Sequence, residues 1–108
     1  MELRPRRGRY HAAMTRNDIL RILATHRDDL ATLGVRELSL FGSYARGDAG
    51  EGSDVDLLVE FERKSFDGYM ATKELLESLL GKKVDLVLKS AVKERLRDAI
   101  LREAIRAA

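Results

Sequence analysis

The stretch "FGSYARGDAGEGSDVDLLVEF", Phe41–Phe61, decides the fold. Its second half alternates strictly: Val55, Leu57, Val59 and Phe61 fall on one side, Asp54, Asp56, Leu58 and Glu60 on the other. Period-two alternation marks a strand with one face turned to a core, so Asp54–Phe61 is predicted as a strand. "VRELSLF" (Val35–Phe41), rich in strand formers, is a second strand and ends at Gly42. Between them "ARGDAGEGS" holds three glycines and reads as a mobile loop.

Outward from this pair the pattern turns helical. Thr15 followed by Asp18 resembles a capping box with Asp in place of Glu. Ile19, Ile22, Leu23, Leu30 and Leu33 then keep helical spacing up to Gly34, which predicts one helix from about Asn17 to Leu33. Downstream, "DGYMATKELLESLLG" (Asp67–Gly81) predicts a helix with Asp67 as its cap and Gly81 just past its end. "KVDLVLK" (Lys83–Lys89) is a third strand, and "AVKERLRDAILREAIRAA" a closing helix. The expectation is an α+β (α/β two-layer) domain: a small, mostly three-stranded mixed sheet backed by helices.

Composition excludes several function classes. A chain of 108 residues has room for one domain, expected over residues 14–108. No apolar run approaches the ~20 residues that cross a bilayer, and "MELRPRRGRYHAAM" lacks the apolar stretch of a secretory signal. With no cysteine there is no disulfide or thiolate metal site, which is compatible with a cytoplasmic protein. The net charge of +2 is concentrated in residues 1–13, where Arg4, Arg6, Arg7 and Arg9 stand against Glu2. That segment reads as a flexible basic arm, with Met14 as an alternative start. The nearly neutral remainder does not suggest a nucleic-acid binder.

The chemistry lies in the aspartates. Residues i and i+2 of a strand share a face, so Asp54 and Asp56 stand ~7 Å apart at Cα. Two carboxylates so close repel unless something neutralises them. Carboxylate oxygens suit Mg²⁺, which binds one or two of them together with substrate phosphates. Asp85, in the middle of "KVDLVLK", is a third strand aspartate. Gly42-Ser43 supplies the complementary half. Gly42 permits close approach of a phosphate, Ser43 adds a hydroxyl, backbone N–H groups of the following turn point at an anion, and Arg46 offers a fork to phosphate oxygens. Two metals ~4 Å apart would clamp the attacking and leaving oxygens of an in-line displacement. None of these features is specific alone; their conjunction is.

That conjunction, Gly42-Ser43, ten residues, then Asp54-x-Asp56 with Asp85 on a later strand, resembles the DNA polymerase β-like nucleotidyltransferase superfamily. The short chain and the string from Phe41 to Phe61 are similar to its minimal nucleotidyltransferase branch. The resemblance implies that Gly42 and Ser43 hold the triphosphate of ATP and that Asp54 and Asp56 bind two Mg²⁺. Asp85 would then be a third ligand or base. It further implies an antitoxin that transfers AMP to a tyrosine of a HEPN-domain RNase toxin, forming a hetero-oligomer with it. Bulk and negative charge added there would oppose RNA binding. The alternatives are a non-catalytic antitoxin acting by occlusion, and a transferase for a small aminoglycoside-type alcohol.

Other residues carry plainer expectations. His26 is a boundary residue of the first helix, and His11 belongs to the arm. Tyr44 is either a base-stacking or a partly exposed turn aromatic. Glu60 is solvated at a strand end, Tyr69 packs its helix, and "KERLRD" is a solvated face. On the last helix Val92, Leu96, Ala99 and Ile100 are expected to face the core. Leu101, Ile105 and Ala108 would form a second, exposed apolar stripe for a partner.

Overall fold

A computed structural model describes residues 14–108; the basic arm, residues 1–13, lies outside them. Four strands form one mixed sheet, in the order Val84–Leu88 (β3), Val55–Phe61 (β2), Val35–Phe41 (β1) and Ile105–Arg106 (β4). β1 (Val35–Phe41) and β2 (Val55–Phe61) run antiparallel, with Leu40 opposite Leu57 and Phe41 opposite Asp56. β3 (Val84–Leu88) runs parallel to β2. A parallel neighbour needs a long crossover, and α4 (Phe66–Leu80) supplies it. The alternation read from the sequence sets the faces. Val55, Leu57 and Val59 are fully buried, together with Leu38 and Leu40 of β1, and Val84 and Leu86 of β3 are nearly so.

Helices cover that face. α1 (Arg16–Thr25) contributes Ile19 and Leu23, and α4 contributes Leu76 and Leu80. Removing one such side chain from water is worth about 1.5–3 kcal/mol. The predicted capping box is present: Asp18 N donates to Thr15 Oγ1 at 3.1 Å and Thr15 N to Asp18 Oδ2 at 2.9 Å. These bonds hold the Asp18 carboxyl below its ordinary pKa, with the backbone N–H of Thr15 the main cause.

Several details differ from expectation. The first helix is not continuous to Leu33; it breaks at His26, whose Nδ1 bonds the Ile22 carbonyl at 2.9 Å, and resumes as α2 (Arg27–Thr32). Asp28 and Asp29 then occupy the first turn of α2, where carboxylates favour a new helix N-terminus. The cap of α4 is Ser65, accepting from Gly68 N at 3.0 Å; Asp67 sits in the first turn instead. The sheet has four strands rather than three. The closing helix, α5 (Glu94–Glu103), stops early, and Ile105–Arg106 turn into β4 against Ser39 and Leu40 of β1. The expected second stripe of Leu101, Ile105 and Ala108 is therefore not one helix face: the Ala108 carbonyl accepts from Leu38 N at 3.1 Å. Nor do Leu96 and Ala99 reach the core, for α5 buries no residue fully. An open edge on β1 offered main-chain hydrogen bonds that a helical continuation could not satisfy.

Candidate active site

The carboxylates gather at the leading ends of β2 and β3. Parallel pairing sets Asp56 directly beside Asp85, one inter-strand spacing of ~4.8 Å away. Asp54 stands one residue before β2 on the same side. Asp54 and Asp85 are exposed and Asp56 is half-buried. Burial pushes the Asp56 carboxyl above its ordinary pKa, and the charges of Asp85 and Asp54 push it further; Arg46 opposes them, while Glu103 adds to them. The three carboxylates make a negatively charged surface, and the Arg46 guanidinium offsets it in part.

Across β1 the chain turns sharply. Gly42 has φ +76 and is buried against Asp56; a Cβ built on it would overlap the Asp56 carboxylate. Glycine is required here twice over, by conformation and by space. The predicted helical turn is α3 (Gly42–Arg46), closed by Gly47 at φ +85. Gly47 N and Asp48 N both donate to the Ser43 carbonyl, at 2.9 and 3.0 Å. α3 is fixed from behind by Arg16 Nη1, which donates to the Ala45 carbonyl at 3.0 Å. Beyond it, Gly50 N donates to Ser53 Oγ at 2.9 Å and Lys82 Nζ to the Glu51 carbonyl at 3.2 Å, so the glycine loop is tied at two points.

The structure thus brings Gly42, Asp54, Asp56 and Asp85 together, with Ser43 next in the turn. Arg46 is exposed; its Nε bonds Asp48 Oδ2 at 3.2 Å and its Nη1 lies 3.4 Å from both oxygens of Glu103. Glu103 also accepts from Gly42 N at 2.9 Å. It comes from the last turn of α5, 61 residues along the chain, and no pattern in the sequence pointed to it. Among the described residues no three His, Cys, Asp or Glu side chains are gathered tightly enough to hold a metal ion as they stand. Tyr44 is 5% exposed and belongs to the core, so it cannot stack on a base. Tyr69 packs α4 onto β3, its hydroxyl donating to the Leu86 carbonyl at 2.6 Å. Glu60 is half-buried and 3.9 Å from Lys89 Nζ, which also reaches Glu37 at 3.5 Å. A cavity of about 620 Å³ lined by Phe61, Phe66, Tyr69 and Leu88 lies at the trailing ends of β2 and β3, away from the carboxylates.

Fold and site together define a class, a nucleotidyl-transferring enzyme on a mixed four-stranded sheet. Residues 23–107 match the family model described as a nucleotidyltransferase domain. The protein adenylyltransferase MntA of Thermococcus cleftensis is 46% identical over 96 residues, covering 87% of this chain and 97% of that protein. A solved structure described as a minimal nucleotidyltransferase superposes with a TM-score of 0.69 at 39% identity, over 89% of this chain and 97% of its own. A chain from the complex of a tri-AMPylated Shewanella oneidensis HEPN toxin with its MNT antitoxin shares the fold, with a TM-score of 0.58 at 18% identity over 82% of this chain and 71% of that one. The chain belongs to the nucleotidyltransferase domain family, within its minimal branch. Among the described residues no helix is long and apolar enough to cross a membrane.

Proposed function

We propose that this chain is a Mg²⁺-dependent protein adenylyltransferase, the antitoxin of a toxin–antitoxin pair, which moves AMP from ATP onto a tyrosine of a HEPN-domain toxin. The carrying observation is the register that sets Asp56 beside Asp85 while Gly42 of the Gly-Ser turn packs against the Asp56 carboxylate. The name of the Thermococcus relative supplies the reaction class, and the toxin complex supplies the partner class.

The residues fit divalent cations. Asp56 is pushed up by burial and then by the charges of Asp85 and Asp54, with Arg46 opposing them, and hard oxygen donors are what Mg²⁺ takes. Asp54, Asp56 and Asp85 would hold the ions. When bound, they would supply positive charge that neutralises the polyphosphate and the developing charge of the displacement. Gly42 N–H, the Ser43 hydroxyl and Arg46 orient the triphosphate. Asp85, exposed at the edge strand, accepts the proton of the attacking hydroxyl. The tyrosine oxygen forms a bond to the α-phosphorus as the bond to the β-phosphate oxygen breaks, and pyrophosphate leaves.

The test is intact mass of the cognate toxin after incubation with this protein and Mg-ATP: one or more AMP adducts are expected, and none with Asp56→Asn. Neutralisation of the toxin by Asp56→Asn without any adduct would establish the second reading, occlusion. Among the described residues the three carboxylates do not by themselves form a closed cluster that could hold an ion. Transfer requires the incoming triphosphate to complete the coordination.

A further inference from the structure

We propose that Glu103 is an internal substitute for phosphate: its carboxylate occupies the Gly42–Arg46 donors that a phosphate would take, and nucleotide binds by displacing it. The inference rests on the reading of the Gly-Ser turn as the triphosphate seat. Gly42 N–H donates to Glu103 Oε1 at 2.9 Å, and Arg46 Nη1 lies 3.4 Å from Oε1 and from Oε2. A backbone N–H and a guanidinium converging on two oxygens of one anion is the arrangement a phosphate also takes. One N–H cannot serve two anions at this distance, so the carboxylate and a phosphate compete.

The element that delivers Glu103 is built to move. α5 buries no residue fully, and Leu96 and Leu101 on it are 50% and 40% exposed. The chain beyond is fixed: Ala107 N donates to the Leu38 carbonyl at 2.8 Å, and Leu38 N to the Ala108 carbonyl at 3.1 Å. Between the two, Ala104 is extended, at φ −70 and ψ 139, and forms a joint one residue from Glu103. A lightly packed helix on a pinned strand can swing its last turn off the site while the sheet stays intact. Glu103 also stands near Asp56 as a like charge, so it is held by Gly42 and Arg46 against repulsion from the site.

The competing explanation is that Glu103 only positions Arg46, and the two predict opposite signs. Calorimetric titration of the full chain with Mg-ATP and with tripolyphosphate, which has no base, separates them. Glu103→Ala is expected to bind both about tenfold more tightly than the parent, or ~1.4 kcal/mol, and Glu103→Gln, which keeps the acceptor without the charge, to gain less. The backbone ¹⁵N–¹H signal of Gly42 should shift on Glu103→Ala, and nucleotide should then perturb it further. Unchanged or weaker binding by both variants overturns the proposal. Ser43→Ala keeps the two readings apart. If the parent binds ATP in a Ser43-dependent way and the Glu103 variants gain nothing, Glu103's role alone is refuted. If no protein in the series binds either ligand, the triphosphate seat is refuted and the displacement with it.

Discussion

Asp56→Asn should abolish transfer and at the same time stabilise the metal-free fold. In the folded chain the Asp56 carboxyl lies above its ordinary pKa because of burial, then Asp85, then Asp54. A carboxyl whose folded pKa is raised binds its proton more tightly folded than unfolded. The charged form therefore costs stability at neutral pH, a cost that disappears as pH falls through the raised value. Asn keeps the shape and removes the charge. Like charges directly opposite in a sheet cost roughly 0.2–1 kcal/mol, and the half-exposed setting of Asp56 keeps the relief toward that scale rather than that of a buried pair. For a domain of this size 1 kcal/mol moves Tm by about 4–8 °C, so the variant should melt roughly 1–8 °C higher at pH 7 without divalent ions. The assay is differential scanning fluorimetry from pH 7 down to pH 4, with and without Mg-ATP. The gap should close on acidification, and Mg-ATP should raise the parent's Tm but not the variant's. A lower Tm for Asp56→Asn at pH 7 would show that protein donors already satisfy the carboxylate, and the case for a cation site there would fail.

Gly42→Ala should destabilise by about 1–2 kcal/mol for the left-handed backbone alone, and more because its Cβ overlaps Asp56; urea denaturation checks the first and ATP binding the second. Thr15→Ala breaks the capping box and should cost about 1 kcal/mol, seen as a lower urea midpoint with unchanged m. Tyr69→Phe removes the 2.6 Å bond to the Leu86 carbonyl and should cost roughly 0.5–1.5 kcal/mol with no loss of AMP transfer, measured by melting and by toxin mass. An undiminished Tm in Tyr69→Phe would mean that solvent already serves that carbonyl.

The alternation of Asp54–Phe61 made the central strand legible, because one side of it had to be apolar wherever the domain was built. The same two-residue period put Asp54 and Asp56 on one face, a consequence of strand geometry that needs no long-range contact. The break at His26 was hidden, since the apolar spacing on either side of it is compatible with one continuous helix and the interruption rests on a local side-chain bond to the Ile22 carbonyl. The cap of α4 was misplaced by two residues for a similar reason: Ser65 and Asp67 are both competent caps, and the geometry of the preceding turn chose between them.

Local periodicity and turn chemistry determined from the sequence alone that this is a mixed α+β domain with three strand aspartates and a Gly-Ser turn. Which residues meet across the fold was decided by the tertiary structure. Asp85 stands beside Asp56 because of a parallel register, 29 residues on, that no local pattern encodes. β4 exists because β1 had an unpaired edge, and the chain after α5 satisfied it. Glu103, 61 residues along the chain and two before β4, meets Gly42 only in the folded chain. Short-range preferences act through residues three or four apart, whereas register and edge pairing are settled by the whole sheet at once.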